Sequence, residues 1–184
     1  ITRKRAFDAL REGTLREGTA SGVPFVNLDD ATVLRTVGTE TIDVIVTSPP
    51  YAATYDYFEH HADRLRWMGI DGRGFERGEL GSRRSYRALT PGEAREKWLA
   101  ELDAMLRAFA RVLVPTGTMA LLMADSATKG SLLRADELVR VAGAKLGLTY
   151  VASASQERPH FHRPTAHLFE GHARREHALL LQRP

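Results

Sequence analysis

The sequence predicts an α/β fold: one domain around an open, mainly parallel sheet that finishes with an antiparallel strand at its C-terminal end. Two observations carry this. Strand-like runs at 42–46, 118–125, 149–156 and 176–182 alternate with helical patterns of roughly 10–20 residues. The first run, Ile42 to Val46, is nearly all apolar and is stopped by prolines. That is how a strand buried on both faces of a helix-covered sheet reads.

Taken in order, residues 3–18 (RKRAFDALREGTLREG) read as a basic, modestly amphipathic helix, and Pro24–Leu28 as a short strand running into the acidic turn Asp29–Asp30. The buried strand of IDVIVTSPPY follows. Residues Tyr55 to Met68 can form a helix that Gly69 ends, with Asp56 placed to cap it. Residues 69–92 read as an irregular insertion rich in Arg and Gly. Pro91 and Glu93 then open a helix whose apolar positions Trp98, Leu102, Met105, Leu106, Phe109, Val112 and Leu113 keep the 3.6-residue period until Pro115 and Gly117. TMALLMAD (118–125) is a second buried strand. Residues 131–147 form a further helix capped by Gly147. Two last strands, 149–156 and 176–182, lack a clear helix between them and are expected to pair antiparallel. In such sheets ligands sit outside the carboxyl ends of the strands, which singles out Asp29–Asp30, Thr47–Tyr51 and Asp125.

The chain has 184 residues, with 43% hydrophobic and 27% charged, proportions of an ordinary folded domain. No apolar run approaches the ~18–20 residues of a membrane span, and no signal-peptide pattern is read at the start, so a cytoplasmic location without a membrane partner is expected. With no cysteine, disulfide scaffolds, zinc-thiolate sites and thiol nucleophiles are excluded. The net charge is +3, yet all but four of the 26 basic residues are Arg, a residue suited to bidentate phosphate binding. The chain opens on Ile rather than Met, and part of a longer or processed chain is expected.

Thr47-Ser48-Pro49-Pro50-Tyr51, directly after a buried strand, is the strongest chemical signal. Pro50 has no N–H and the paired prolines hold φ near −65°, so the chain leaves the sheet in a stiff turn. The Pro49 carbonyl is presented outward as an acceptor, Ser48 adds a hydroxyl beside it, and Tyr51 adds an aromatic face. Two acceptors beside a stacking surface suit a planar –NH2 group on a heterocycle. These residues resemble the (Asp/Asn/Ser)-Pro-Pro-(Tyr/Phe/Trp) motif of the S-adenosylmethionine-dependent methyltransferases that modify exocyclic amines. The longer stretch SPPYAATYDY resembles a subset of site-specific DNA methyltransferases, related also to the tRNA guanine-N2 methylases.

The resemblance implies a Rossmann-like class I methyltransferase fold, with 1–184 as a single partial catalytic domain. It implies that Ser48 and the Pro49 carbonyl accept the target amine's hydrogens, with Pro50 shaping the turn and Tyr51 stacking on the extruded base. Accepting both hydrogens draws the nitrogen lone pair out of ring conjugation, with no covalent enzyme intermediate. Cytosine-C5 chemistry would need a Cys that the chain lacks. The Ser form of the motif points to cytosine N4 in DNA first and adenine N6 next. The implied cofactor is S-adenosyl-L-methionine, with Asp30 and Ala31 of NLDDATVL at its adenine end and Thr47 beside it. RVLVPTGTMALLMAD (111–125) resembles the family's R-V-L-x-P-G-G passage, with Thr116 in place of the first Gly. QERPHFHRPTA and REHALLL resemble its closing hairpin. The Gly-rich loop that follows the family's first strand is absent, so the first strands and that loop are expected from an upstream segment or a partner chain. The alternatives are tRNA guanine-N2 methylation and a non-catalytic nucleic-acid-binding fragment.

Weaker signals surround the motif. Tyr55, Tyr57 and His60 could line a base pocket or pack on the sheet. Arg83 and Arg84, with Arg73, Arg77 and Arg87, could form an arm that grips phosphates or a solvated loop. His160, His162, His167, His172 and His177 include a His-x-His, but no fixed carboxylate or thiolate framework accompanies them, and no metal is expected.

Overall fold

The computed structural model describes residues 29–128, 130–160 and 163–184. The helix expected at 3–18 and the strand expected at 24–28 lie outside the described residues. A four-stranded sheet in the order β1-β2-β6-β5 is built from β1 (Ile42–Thr47), β2 (Leu113–Ala124), β5 (Thr149–Glu157) and β6 (Arg175–Gln182). β1 and β2 are parallel, and β6 is antiparallel to both β2 and β5. Three strands therefore share one direction and the C-terminal strand alone reverses it.

Between β1 and β2 run α1 (Tyr57–Trp67), the short α2 (Arg73–Gly78) and α3 (Arg83–Tyr86), and the long α4 (Pro91–Val112). The insertion at 69–92 is thus not irregular throughout: two helices break it up. A capping box explains where α4 begins. The Thr90 hydroxyl accepts from the Glu93 amide, the Glu93 carboxylate accepts from the Thr90 amide, and Pro91 stands in the first turn, where its missing N–H costs nothing. α4 ends at Val112, earlier than Pro115 and Gly117 suggested, because Leu113 is already extended and starts β2. A hairpin, β3 (Ser126–Thr128) with β4 (Ser131–Leu133), precedes α5 (Ala135–Lys145). The residues 131–133 expected to begin that helix are therefore strand. Gly147, at φ 73°, follows α5 in the left-handed conformation that glycine tolerates.

The sheet has two unlike faces. Met119, Leu121, Met123, Leu179 and Leu181 point to one side and join Leu102, Met105, Leu106 and Phe109 of α4 and Leu138, Val139 and Ala142 of α5 in one buried core. On the other side the register aligns Val44 and Val46 with Thr118 and Ala120, and Leu122 with Ala178. There Val44 is 58% exposed, Val46 79% and Leu122 43%. β1 also stands at the end of the strand order, with no second partner among the described residues. The expectation of a strand buried on both faces is therefore corrected: Ile42–Val46 has the composition of an interior strand and the position of an edge.

Candidate amine-recognition site

β1 delivers Thr47 and Ser48 to the carboxyl end of the parallel pair, where the turn Ser48–Tyr51 begins. Pro49 is buried and anchors the turn, while Ser48 is exposed. The Tyr51 hydroxyl lies 3.2 Å from Glu176 Oε1 and 3.4 Å from Ser48 Oγ. Arg158 holds the other oxygen of Glu176 at 2.9 Å, which fixes that carboxylate as an acceptor. The single Tyr51 proton then goes to Glu176, and the Ser48 hydroxyl points its own proton to Tyr51. Both lone pairs of Ser48 are left for an incoming donor. Burial raises the Tyr51 phenol above its usual pKa; the Ser48 hydrogen bond opposes this and Glu176 adds to it, so the hydroxyl remains a donor.

The insertion holds this turn from behind. The Ala53 amide donates to the Gly81 carbonyl at 2.9 Å, and the Arg83 amide donates to the Tyr55 carbonyl at 2.9 Å. Ala53 itself adopts φ 52°, a strained conformation for a residue with a Cβ. Gly81 lies so close that a Cβ there would stand 3.1 Å from the Tyr51 carbonyl oxygen. Its amide donates to Glu101 of α4, which also accepts from Tyr86 and pairs with Lys97. Helix α4 therefore positions the motif through Glu101 and Gly81.

The other expected site residues divide. Tyr55 and His60 stack at 4.3 Å between ring centroids, Tyr57 lies 4.6 Å from Tyr55, and all three are exposed beside the motif. Arg83 donates to the Thr54 carbonyl and stays exposed. Arg84 does not form part of an open arm: its guanidinium is bonded to Asp56 and Glu79 and lies over the Phe58 ring. Asp56 accordingly spends its carboxylate on Arg84 rather than capping α1, and Glu79 accepts from the first amides of that helix instead. Asp30 and Ala31 are not brought to the motif. The Asp30 carbonyl accepts from Val33 and Leu34, whose own carbonyls are held by Arg111 near the end of α4. That is the amino end of β1, one strand length (about 16 Å) away from Thr47.

At the carboxyl end of β2, Asp125 is fully buried. It accepts from the amides of Ala135 and Arg175 and from His177 Nε2 at 3.0 Å, while Ser155 lies 2.8 Å from His177 Nδ1. His177 Nε2 thus donates to Asp125, which is acceptor-only when ionised. Asp125, Asp136 and His177 are the one grouping of three potential metal ligands among the described residues. The oxygens of Asp125 already hold protein donors, with Arg134 at 3.7 Å, so the cluster reads as the brace of β2, α5 and β6. Of the histidines, His162 lies outside the described residues, and His160 bonds Thr165 and packs on Phe169. Sequence reasoning missed Glu176, Gly81, Glu79 and Glu101; none has a local signal, since each acts on a residue at least 20 positions away.

The strand order, the directions and the placement of the helices define a Rossmann-like methyltransferase fold. Solved structures share it. One is a protein of Thermus thermophilus provisionally described as a DNA modification methylase, with a TM-score of 0.51 and 20% identity over 88% of this chain. A crystal structure of the same protein in complex with S-adenosyl-L-methionine gives a TM-score of 0.51 and 22% identity over 85% of this chain. This chain spans about half of theirs, 55% and 54%. No protein-family model matches the chain, and no curated protein matches it at a significant level. No helix among the described residues is long and apolar enough to cross a membrane.

Proposed function

We propose that the chain is the target-recognition part of an S-adenosylmethionine-dependent methyltransferase acting on an exocyclic amine in DNA, cytosine N4 ahead of adenine N6. One observation carries this reading: the Glu176–Tyr51–Ser48 chain of hydrogen bonds, which leaves the Ser48 lone pairs free beside the Pro49 carbonyl. An amino group set there donates one hydrogen to each acceptor. Its lone pair turns out of conjugation with the ring and becomes able to accept a methyl group. Tyr55, Tyr57, His60 and Arg83 flank the position and supply stacking faces and one cation for the strand.

The described residues do not themselves build a site for the methyl donor. The Asp30 carboxylate is taken up by the amide and hydroxyl of Thr32. The cavity beside the motif is lined by three arginines and no carboxylate, which suits neither a sulfonium nor an ammonium group. In this reading the donor is held by an upstream segment or a partner chain that adds to the open edge of β1. Calorimetric titration of the 184-residue chain with S-adenosylmethionine is expected to show no micromolar binding.

The decisive experiment expresses the full gene and measures methylated nucleosides from DNA and tRNA by mass spectrometry. N4-methylcytosine in DNA is expected. Ser48→Ala should slow transfer by about 100- to 1000-fold, the effect of removing one positioned polar group at a reacting centre, while stability is unchanged because Ser48 is exposed. Wild-type transfer by that variant, or methylation confined to guanine N2 of tRNA, overturns the proposal.

A further inference from the structure

Two residues past Tyr51, a cavity of about 830 Å³ opens between Ala53–Thr54, helix α3, the β3–β4 hairpin and the segment joining β5 to β6. None of Ser48, Pro49, Pro50 or Tyr51 lines it, so it is a site separate from the motif turn. Its size is that of a cavity for an organic ligand, far more than a bare anion fills.

The charge of its wall is one-sided. Arg83, Arg87 and Arg174 all line it, with His160 and His167, and no Asp or Glu is among the described lining residues. Arg83 is steadied by the Thr54 carbonyl and Arg174 by the Asp125 carbonyl, neither of which neutralises a guanidinium. Arg87 has its nearest carboxylate, Glu59, at 3.7 Å and outside the cavity. Fixed cations that face a concave space without carboxylates favour an anion there. Ala53, Ala127, Pro159, Pro164 and Tyr86 add apolar surface to the same wall. Thr128, 4% exposed, lines the same space, and its hydroxyl has no hydrogen-bond partner among the described residues. A ligand that joins a phosphate to a flat, weakly polar body with a few hydrogen-bonding atoms matches these lining groups.

We propose that the cavity binds a nucleoside 5′-monophosphate unit, its phosphate on Arg83, Arg87 and Arg174 and its base against the apolar wall. If an amine sits on Ser48, a neighbouring nucleotide of the same strand reaches this cavity; that link to a strand rests on the proposed function, whereas nucleotide binding itself does not.

The test is calorimetric titration of the full chain with deoxycytidine 5′-monophosphate, deoxycytidine, inorganic phosphate and a short single-stranded oligodeoxynucleotide. The monophosphate should bind at least ten times more tightly than either the nucleoside or phosphate alone. Arg87→Gln should weaken it five- to tenfold, and Arg87→Lys should recover part of the loss. Arg87 carries the weight of the test because its ion pair among the described residues is long and exposed, so the variant keeps its fold, which circular dichroism checks. Tighter binding of the oligonucleotide than of the monophosphate identifies a strand as the source; the reverse identifies a free nucleotide, and both support the site. Equal binding of nucleoside and monophosphate, or wild-type affinity in a folded Arg87→Gln, overturns it. Ser48→Ala should leave monophosphate binding intact, so failure of the methyl-transfer reading and failure of this one are told apart.

Discussion

At the carboxyl end of the β1–β2 pair, one buried aspartate gathers two backbone amides, an imidazole and a guanidinium; at the amino end, a half-buried and an exposed aspartate fold back on their own turn. Asp125 joins β2, α5 and β6 from a position with no water to replace any partner it loses. Asp29 accepts from Asp30 and Thr36, and Asp30 accepts from Thr32, all within eight residues of sequence and all in solvent. The Thr36 amide, first among its hydrogen bonds, holds the Asp29 carboxyl below its usual pKa, but that favours only a local turn. Identical side chains thus brace the sheet at one end and only shape a loop at the other. The chemistry of the motif stands at the braced end, where Ser48 and Tyr51 need a fixed neighbour in Glu176.

The largest expected effect breaks that brace. Asp125→Ala leaves His177 and the amides of Ala135 and Arg175 without their acceptor and Arg134 without its nearest carboxylate, and should cost about 3–5 kcal/mol. Asp30→Ala, as the matched change at the amino end, should cost no more than about 0.5 kcal/mol. Urea denaturation of both variants checks the contrast. Comparable losses at the two sites would show that burial does not separate these ends.

The second effect is a pH dependence at the braced end. Burial, then the charge of Glu101 and a hydrogen bond to it, raise the Tyr86 phenol far above its usual value. The folded chain keeps that proton where the unfolded chain releases it, near pH 10. The unfolded state then binds fewer protons, so stability falls as pH rises. This contribution is fully present below pH 10 and should be lost above it at up to about 1.4 kcal/mol per pH unit. Tyr86→Phe should flatten the slope measured between pH 9 and pH 11. An unchanged slope in that variant would assign the alkaline loss to other groups.

Much of this contrast was legible in the sequence, and what was not has physical causes. The motif turn, the antiparallel last strand and the face of α4 could be read because each depends on neighbouring residues. Ile42–Val46 misled because a strand's composition does not reveal whether its second face is covered. Arg84 misled for a related reason: an Arg-rich insertion reads as solvated until Asp56 and Glu79, brought together only by the fold, take up its charge. The Glu176–Tyr51 contact joins residues 125 positions apart, and nothing local to either announces it.

The smallest expected effect lies at the amino end, where the sequence departs from the pattern it otherwise resembles. Thr116 stands where that pattern has glycine, and its φ is 64°, a left-handed conformation that a β-branched residue adopts only under strain. Relieving it should return about 1–2 kcal/mol, offset by the roughly 0.5–1 kcal/mol of extra chain entropy that glycine loses on folding. The Thr116 side chain is exposed, and its carbonyl, which accepts from Gln182 at 3.0 Å, survives the change. Thr116→Gly should therefore stabilise the chain by about 0.5–1 kcal/mol. Gly117→Ala is the opposite control, since a Cβ there would stand 2.8 Å from the Val114 carbonyl oxygen. A higher urea midpoint for the first and a lower one for the second would show that Thr116, unlike its neighbour, is strained. A loss of stability in Thr116→Gly would mean that the surrounding turn, held by Arg183 on Glu40 and on the Leu113 carbonyl, imposes no conformational cost at that position.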